Sequence, residues 1–248
     1  MIEMYQIIGF SGGVPTQSRG VSSMMISTSK YDMMIDCGEG TYLRWQKSGY
    51  KWINLKYILI THMHLDHIGG LVPLLFYRKL FSIETMLTFI GPPLLKAFIL
   101  DSFNYSGLNN NQDYRWIDIS QNYQLDLQDG IKVRALEMEH KIPCWGYRIS
   151  DNIKSLVFIT DTLASSNAVK LAQNSDVLIH EATYIHEMRG EAFEHFHTTN
   201  VQAMEIADEA KVSRLILTHF SQNLTDTELK EWAWNGQSCV IFDEKQKI

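Results

Sequence analysis

The apolar residues of this chain fall into short unbroken runs, and four of these runs stop at similar polar residues. The runs at 57–60, 156–159, 177–179 and 215–217 lead into Thr61-His62, Thr160-Asp161, His180-Glu181 and Thr218-His219. Continuous runs of this length fit strands buried on both faces, as in a sheet covered by helices. Their polar ends are therefore expected to gather along one sheet edge. Between the runs the pattern predicts helices over 71–80, 93–103, 164–173 and 199–210. In the last of these, Val201, Met204, Ala207 and Ala210 follow a three-to-four spacing. A layered α/β sandwich follows, with two halves, about 1–115 and 116–248, that each alternate strands with helices. Turn signals occur at Ser11-Gly12-Gly13, Gly91-Pro92-Pro93 and Asn109-Asn110-Asn111. No linker or low-complexity tract separates the halves, so a single domain over 1–248 is expected.

Composition narrows the function classes. Hydrophobic residues make up 45% of 248 positions, enough for a sizeable core. No run approaches the roughly twenty apolar residues of a membrane span, and Met1-Ile2-Glu3-Met4 does not read as the start of a signal peptide. Cytoplasm is the expected compartment. Cys37, Cys144 and Cys239 are odd in number and far apart, which fits a reducing environment and small core residues rather than a disulfide framework. A net charge of -6 gives no global attraction to nucleic acid. Arg44, Lys47, Lys51, Arg78 and Lys79 are scattered and read as solvated surface.

The strongest chemical signal is Thr61-His62-Met63-His64-Leu65-Asp66-His67, which packs three imidazoles and a carboxylate into six residues directly after a strand. Imidazole nitrogen and carboxylate oxygen suit zinc or a similar first-row ion, and no nearby thiolate points to a closed structural site. A cluster of this density suits two ions and metal-assisted hydrolysis, so further donors must come from elsewhere in the chain. His140 and His219 are candidates by setting. Asp161, at a strand end, is the best-placed carboxylate to bridge two cations, although it could instead cap a helix near Ala164.

These segments, with others, resemble the metallo-β-lactamase superfamily and, within it, the ribonuclease Z branch. The matching residues are Gly12-Gly13-Val14-Pro15-Thr16, Asp36-Cys37-Gly38-Glu39-Gly40-Thr41, the 62–67 cluster, His140 with Gly146-Tyr147-Arg148, Thr160-Asp161-Thr162, His180-Glu181-Ala182-Thr183, His197-Thr198-Thr199 and Leu217-Thr218-His219-Phe220-Ser221. The resemblance implies a four-layer αββα sandwich. It implies one metal held by His62, His64 and His140, a second by Asp66, His67 and His219, and Asp161 between them. It further implies zinc, two per chain, with manganese or iron able to take the same donors. A hydroxide between the metals would attack an RNA phosphodiester at the 3′ side of a transfer-RNA precursor, with Asp66, Glu181 and His197 as the catalytic residues. Glu181 could also serve only as partner to a ligand histidine. Asp36 is expected to orient ligands, His180 to be structural, and the chain to form a homodimer.

Three departures concern substrate recognition. The family's transfer-RNA nucleases commonly carry a long arm between the positions of His140 and Asp161, yet only the twenty residues 141–160 separate them here, enough for two strands and a turn at Asp151-Asn152. The loop Pro15-Thr16-Gln17-Ser18-Arg19-Gly20 keeps Arg19 but has Gln17 and Gly20 where the branch has a basic residue and an asparagine. The arginine often found after the last histidine is missing from His219-Phe220-Ser221-Gln222-Asn223. A small phosphodiester, cyclic nucleotide or other ester is therefore the alternative substrate class. A non-catalytic RNA-binding scaffold would be expected to have lost ligands, whereas all seven metal positions are filled.

Overall fold

The computed structural model describes residues 1–107, 114–119, 123–240 and 245–247. Two sheets hold most of the strands. The first contains β1 (Ile2–Gly9), β2 (Ser23–Thr28), β3 (Asp32–Ile35), β4 (Leu55–Leu59), β5 (Leu87–Gly91) and β6 (Tyr114–Asp118) in sequential order, with Gln246–Lys247 added beside β1. The second contains β7 (Gln124–Asp126), β8 (Lys132–Met138), β9 (Cys144–Ser150), β10 (Ser155–Ile159), β11 (Val177–Glu181) and β12 (Arg214–Thr218), again in order. Each sheet starts antiparallel and turns parallel, from β3 onward in the first and from β10 onward in the second. The helices are α1 (Thr41–Lys47), α2 (Leu65–Ile68), α3 (Leu71–Leu80), α4 (Leu94–Tyr105), α5 (Ser166–Ala172), α6 (Arg189–Glu194), α7 (Asn200–Glu209) and α8 (Asp226–Lys230).

The period of two along each strand sorts side chains into layers. In β2 and β3, Met24, Ile26, Met33 and Ile35 face the second sheet, while Met25 and Met34 face the helices. Tyr57 and Leu59 of β4 join the inter-sheet core, and Ile58 packs with Leu74 and Leu75 of α3 and Ile99 of α4. Ala168 and Leu171 of α5, with Ala203 and Ile206 of α7, complete the outer layer over the second sheet. The arrangement is an αββα sandwich, the layered form of the α/β sandwich that the apolar runs predicted and the one the family resemblance implied.

The boundary between the sheets falls between β6 and β7, and the C-terminal strand returns to the first sheet. Two strands and a turn do fill the short 141–160 segment, with Asp151 Oδ1 accepting from the backbone N–H groups of Ile153 and Lys154. All three cysteines are buried and unpaired. Arg78 is a correction to the sequence reading. It is buried at the end of α3, and its guanidinium donates to the backbone oxygen and hydroxyl of Thr85. A long stem can be covered by neighbours that no linear pattern reveals. The Asn109-Asn110-Asn111 turn lies outside the described residues. Among those residues, no helix is long and apolar enough to cross a membrane.

Candidate metal centre

The ends of five strands and the single turn of α2 supply the site. His62 and His64 lie on the extended segment after β4, and Asp66 and His67 on the single turn of α2. Backbone bonds fix this turn: Cys37 N–H donates to His67 O at 2.7 Å and Gly70 N–H to Cys37 O at 2.8 Å. His140 follows β8, Asp161 follows β10, Glu181 ends β11 and His219 follows β12. Asp36, Asp161 and His219 all have positive φ, at 57°, 45° and 58°. Non-glycine residues hold this conformation at a cost that surrounding contacts must offset, and such residues concentrate at functional sites.

The side chains form two donor groups that share one carboxylate. His62, His64, His140 and Asp161 offer ligand atoms within 4.8 Å of one another, as do Asp66, His67, Asp161 and His219. Asp161 divides its oxygens between them. Oδ1 lies 3.2 Å from His67 Nε2 and 3.1 Å from His219 Nε2, while Oδ2 lies 3.6 Å from both His62 Nε2 and His140 Nε2. Within the first group, His64 Nδ1 is 3.0 Å from His62 Nε2 and 3.2 Å from His140 Nε2. Within the second, Asp66 Oδ2 is 3.3 Å from both His67 Nε2 and His219 Nε2.

These separations fit a divalent ion. Metal–nitrogen bonds of about 2.0–2.1 Å in a tetrahedron put neighbouring donors about 3.3 Å apart, the middle of the observed range. The far ring nitrogens are also held. His67 Nδ1 donates to Asp36 Oδ2 at 2.7 Å, His62 Nδ1 to Thr61 Oγ1 at 3.0 Å, His219 Nδ1 to Thr183 Oγ1 at 2.9 Å and His140 Nδ1 to the Phe196 carbonyl at 3.2 Å. Thr61 Oγ1 in turn donates to Asp36 and Thr183 Oγ1 to Glu181 Oε2. A hydroxyl that donates to a carboxylate is left to accept from the ring. The four Nε2 lone pairs therefore point inward, the tautomer a metal requires.

The electrostatics agree. Burial, together with neighbouring imidazoles, holds His62, His64 and His140 below their ordinary values and so neutral. Burial opposes charge on Asp66 and Asp161 too, yet the surrounding imidazoles keep both well below the usual carboxylate range. The same carboxylates, with Asp36, push His67 up against its own burial. A cation and that proton compete for one negative pocket.

Glu181 and His197 form a third group beside His219. Glu181 is fully buried. Its Oε1 accepts from Thr162 N–H at 2.7 Å and from His197 Nδ1 at 2.9 Å. Burial disfavours charge on His197, but the Glu181 carboxylate outweighs it and raises the imidazole to about 9. The His197 ring packs 5.5 Å from His140 and 5.4 Å from His219 between centroids, so it borders both donor groups.

The seven candidate ligands, with Glu181 and His197, thus converge. Asp161 is not a helix cap, because Ser165 accepts from Ala168 N–H at the start of α5. His180 is buried with Nδ1 donating to the Glu181 carbonyl, outside every donor group among the described residues. Arg19 turns inward, donating to Leu224 O at 2.6 Å and pairing with Asp226 at 3.4 Å. Thr61, Thr183 and Gly13 stand in the matched segments without a role read from the sequence; Gly13 N–H donates to Asp66 Oδ2 at 3.0 Å. Each threonine lies two residues beyond a strand end, that of β4 or β11, which was the available signal.

Residues 32–220 match the model of the β-lactamase superfamily domain. Ribonuclease BN of Proteus mirabilis is 31% identical, with the match covering 96% of this chain and 95% of that protein. Its 292 aligned positions exceed the 248 residues here, so the relative has insertions that this chain lacks. Ribonuclease Z of Prochlorococcus marinus strain MIT 9515 is also 31% identical, over 90% of this chain and 89% of that one. The short form of human tRNase Z superposes with a TM-score of 0.82 at 28% identity, over 89% of this chain and 93% of that structure. With the donor groups as its centre, the chain belongs to the metallo-β-lactamase superfamily, within it to the ribonuclease Z and BN group, and is a metal-dependent hydrolase.

Proposed function

We propose that the chain is a dinuclear-zinc phosphodiesterase that cleaves RNA at the 3′ side of transfer-RNA precursors, as one hydrolase domain over 1–248. The observation that carries the reading is the Asp161 carboxylate with one oxygen toward each imidazole group, beside the Glu181–His197 pair. His62, His64 and His140 would hold one ion, Asp66, His67 and His219 the other, and Asp161 both. Two such ions supply an acidified water and neutralise charge that grows on the phosphoryl oxygens.

The chain's own residues do the rest. Asp36, Thr61 and Thr183 hold the ligand rings in place. Glu181 keeps His197 charged at neutral pH and fixes its Nδ1, which leaves Nε2 to deliver a proton. As the water oxygen bonds to phosphorus, the bond to the leaving oxygen breaks and that oxygen takes the His197 proton. The ribonuclease Z and BN relatives support RNA as substrate.

A small phosphodiester is the second reading, favoured by the inward-facing Arg19 and the short 141–160 segment. Hydrolysis of bis-p-nitrophenyl phosphate and of a precursor transfer RNA separates the two. The zinc-loaded protein is expected to cleave both. Activity on the first alone would refute the transfer-RNA assignment and keep the chemistry, whereas metal analysis below one zinc per chain would refute the dinuclear site.

A further inference from the structure

The end of α6 breaks the pattern set by the other helix ends. Its last turn closes with His197 N–H donating to Ala192 O at 2.8 Å and Phe196 N–H donating to Phe193 O at 3.2 Å. These paired bonds form around a residue of positive φ, and glycine is its usual occupant. Here it is Phe196, at φ 60°. Helices α1 and α4 place Gly49 and Gly107 at the same point, and α3, α5 and α7 place Ser82, Asn174 and Lys211. Among the described residues, Phe196 is the one apolar side chain at positive φ. For a bulky residue this conformation is an outlier that persists only where surrounding contacts over-determine it.

Those contacts lead into the candidate metal centre. Phe196 O accepts from His140 Nδ1 at 3.2 Å, on the side of the ring opposite the nitrogen that faces the first donor group. The next residue is His197, whose Nδ1 donates to Glu181 Oε1 at 2.9 Å. One residue further, Thr198 Oγ1 donates to the carbonyl of Thr162, the neighbour of Asp161 in the chain. Helix α6 itself buries only Ala192, so the turn depends on these ties.

We infer that Phe196 is a positioning residue, whose left-handed backbone sets His140 through its carbonyl and His197 through the peptide that follows. One turn then fixes a candidate ligand of the first ion and the candidate proton donor relative to each other. The inference rests on the dinuclear phosphodiesterase reading for those two roles. It assigns the positioning to the backbone, not to the phenyl ring, which leaves Phe196 37% exposed.

The test compares Phe196→Gly, Phe196→Asn and Phe196→Val, all of which remove the ring. Glycine and asparagine accept a positive φ, whereas β-branched valine resists it. In competition with a chromophoric chelator, the glycine and asparagine variants are expected to bind zinc as tightly as the parent chain. Phe196→Val is expected to bind it about tenfold or more weakly, the scale for losing the partner of a ligand histidine. At saturating zinc, its kcat on precursor transfer RNA relative to bis-p-nitrophenyl phosphate is expected to fall severalfold, and Phe196→Gly to restore the parent ratio. In the metal-free protein, trypsin is expected to cut after the exposed Arg189 of α6 severalfold faster in the valine variant than in the glycine variant. Equal zinc affinity in the valine and glycine variants overturns the inference. Weakened zinc binding by Phe196→Gly overturns it as well, whether or not Phe196→Val folds, because the ring would then hold the role. Absence of zinc from the parent chain would refute the dinuclear reading, and equal trypsin cleavage of the valine and glycine variants would then overturn the role of the turn by itself.

Discussion

At the scale of single residues, what separates the roles is whether a side chain faces both donor groups, one of them, or neither. Asp161 faces both, so Asp161→Ala removes donors from two sets at once. Glu181 touches His197 and Thr183 and leaves the sets whole. Asp161→Ala is therefore expected to lose more turnover than Glu181→Ala, and zinc analysis is expected to show lost metal only in the former; the reverse order would overturn the assignment. His197 permits a sharper measurement. A p-nitrophenolate leaves readily as the anion, whereas the alkoxide released from RNA needs a proton. His197→Ala is expected to slow RNA cleavage by roughly 10²–10⁴-fold and bis-p-nitrophenyl phosphate hydrolysis far less. Equal losses on both substrates would make His197 a structural residue.

At the scale of elements, the site is a consequence of how strands end. The apolar runs marked β4, β10, β11 and β12 in the sequence because burial on both faces demands continuous Val, Ile and Leu. The polar residue after each run was legible for the same reason. The long-range partners were not. Nothing local announces that Thr183 meets His219 across 36 positions, that Gly13 reaches Asp66, or that Arg19 pairs with Asp226, since each contact joins segments brought together only by the assembled sheets. Arg78 escaped for a related reason, because its cover comes from the segment beyond its own helix. Gly12 shows how close the approach is. A Cβ there would stand 2.7 Å from His219 Nδ1 and 3.0 Å from its carbonyl oxygen. Gly12→Ala is expected to displace the His219 ring, lower zinc content and cost about 1–3 kcal/mol of stability. Gly190→Ala, where a Cβ meets nothing within 4 Å, should melt like the parent chain. Equal melting temperatures and equal zinc content in the two variants would show that the loop yields at no cost.

At the scale of the whole molecule, the face-to-face sheets fix the chemistry, while the distribution of charge decides which substrates reach it. The chain has 22 basic residues against 28 acidic ones, and several of the arginines are committed internally. Arg19 is tied to Leu224 and Asp226, Arg78 to Thr85, and Arg148 to the carbonyls of Leu171 and Gln173. None of these three is available to neutralise a phosphate. Counterion release gives a slope of about -0.7 per phosphate contact on a single strand, so withholding these three arginines makes the response shallower. The logarithm of kcat/KM for precursor transfer RNA against the logarithm of salt is expected to fall with a slope of about -2 or less steep. Hydrolysis of methyl p-nitrophenyl phosphate should stay nearly level over the same range. A much steeper slope for RNA would show that the other lysines and arginines of the chain build a basic surface beside the site.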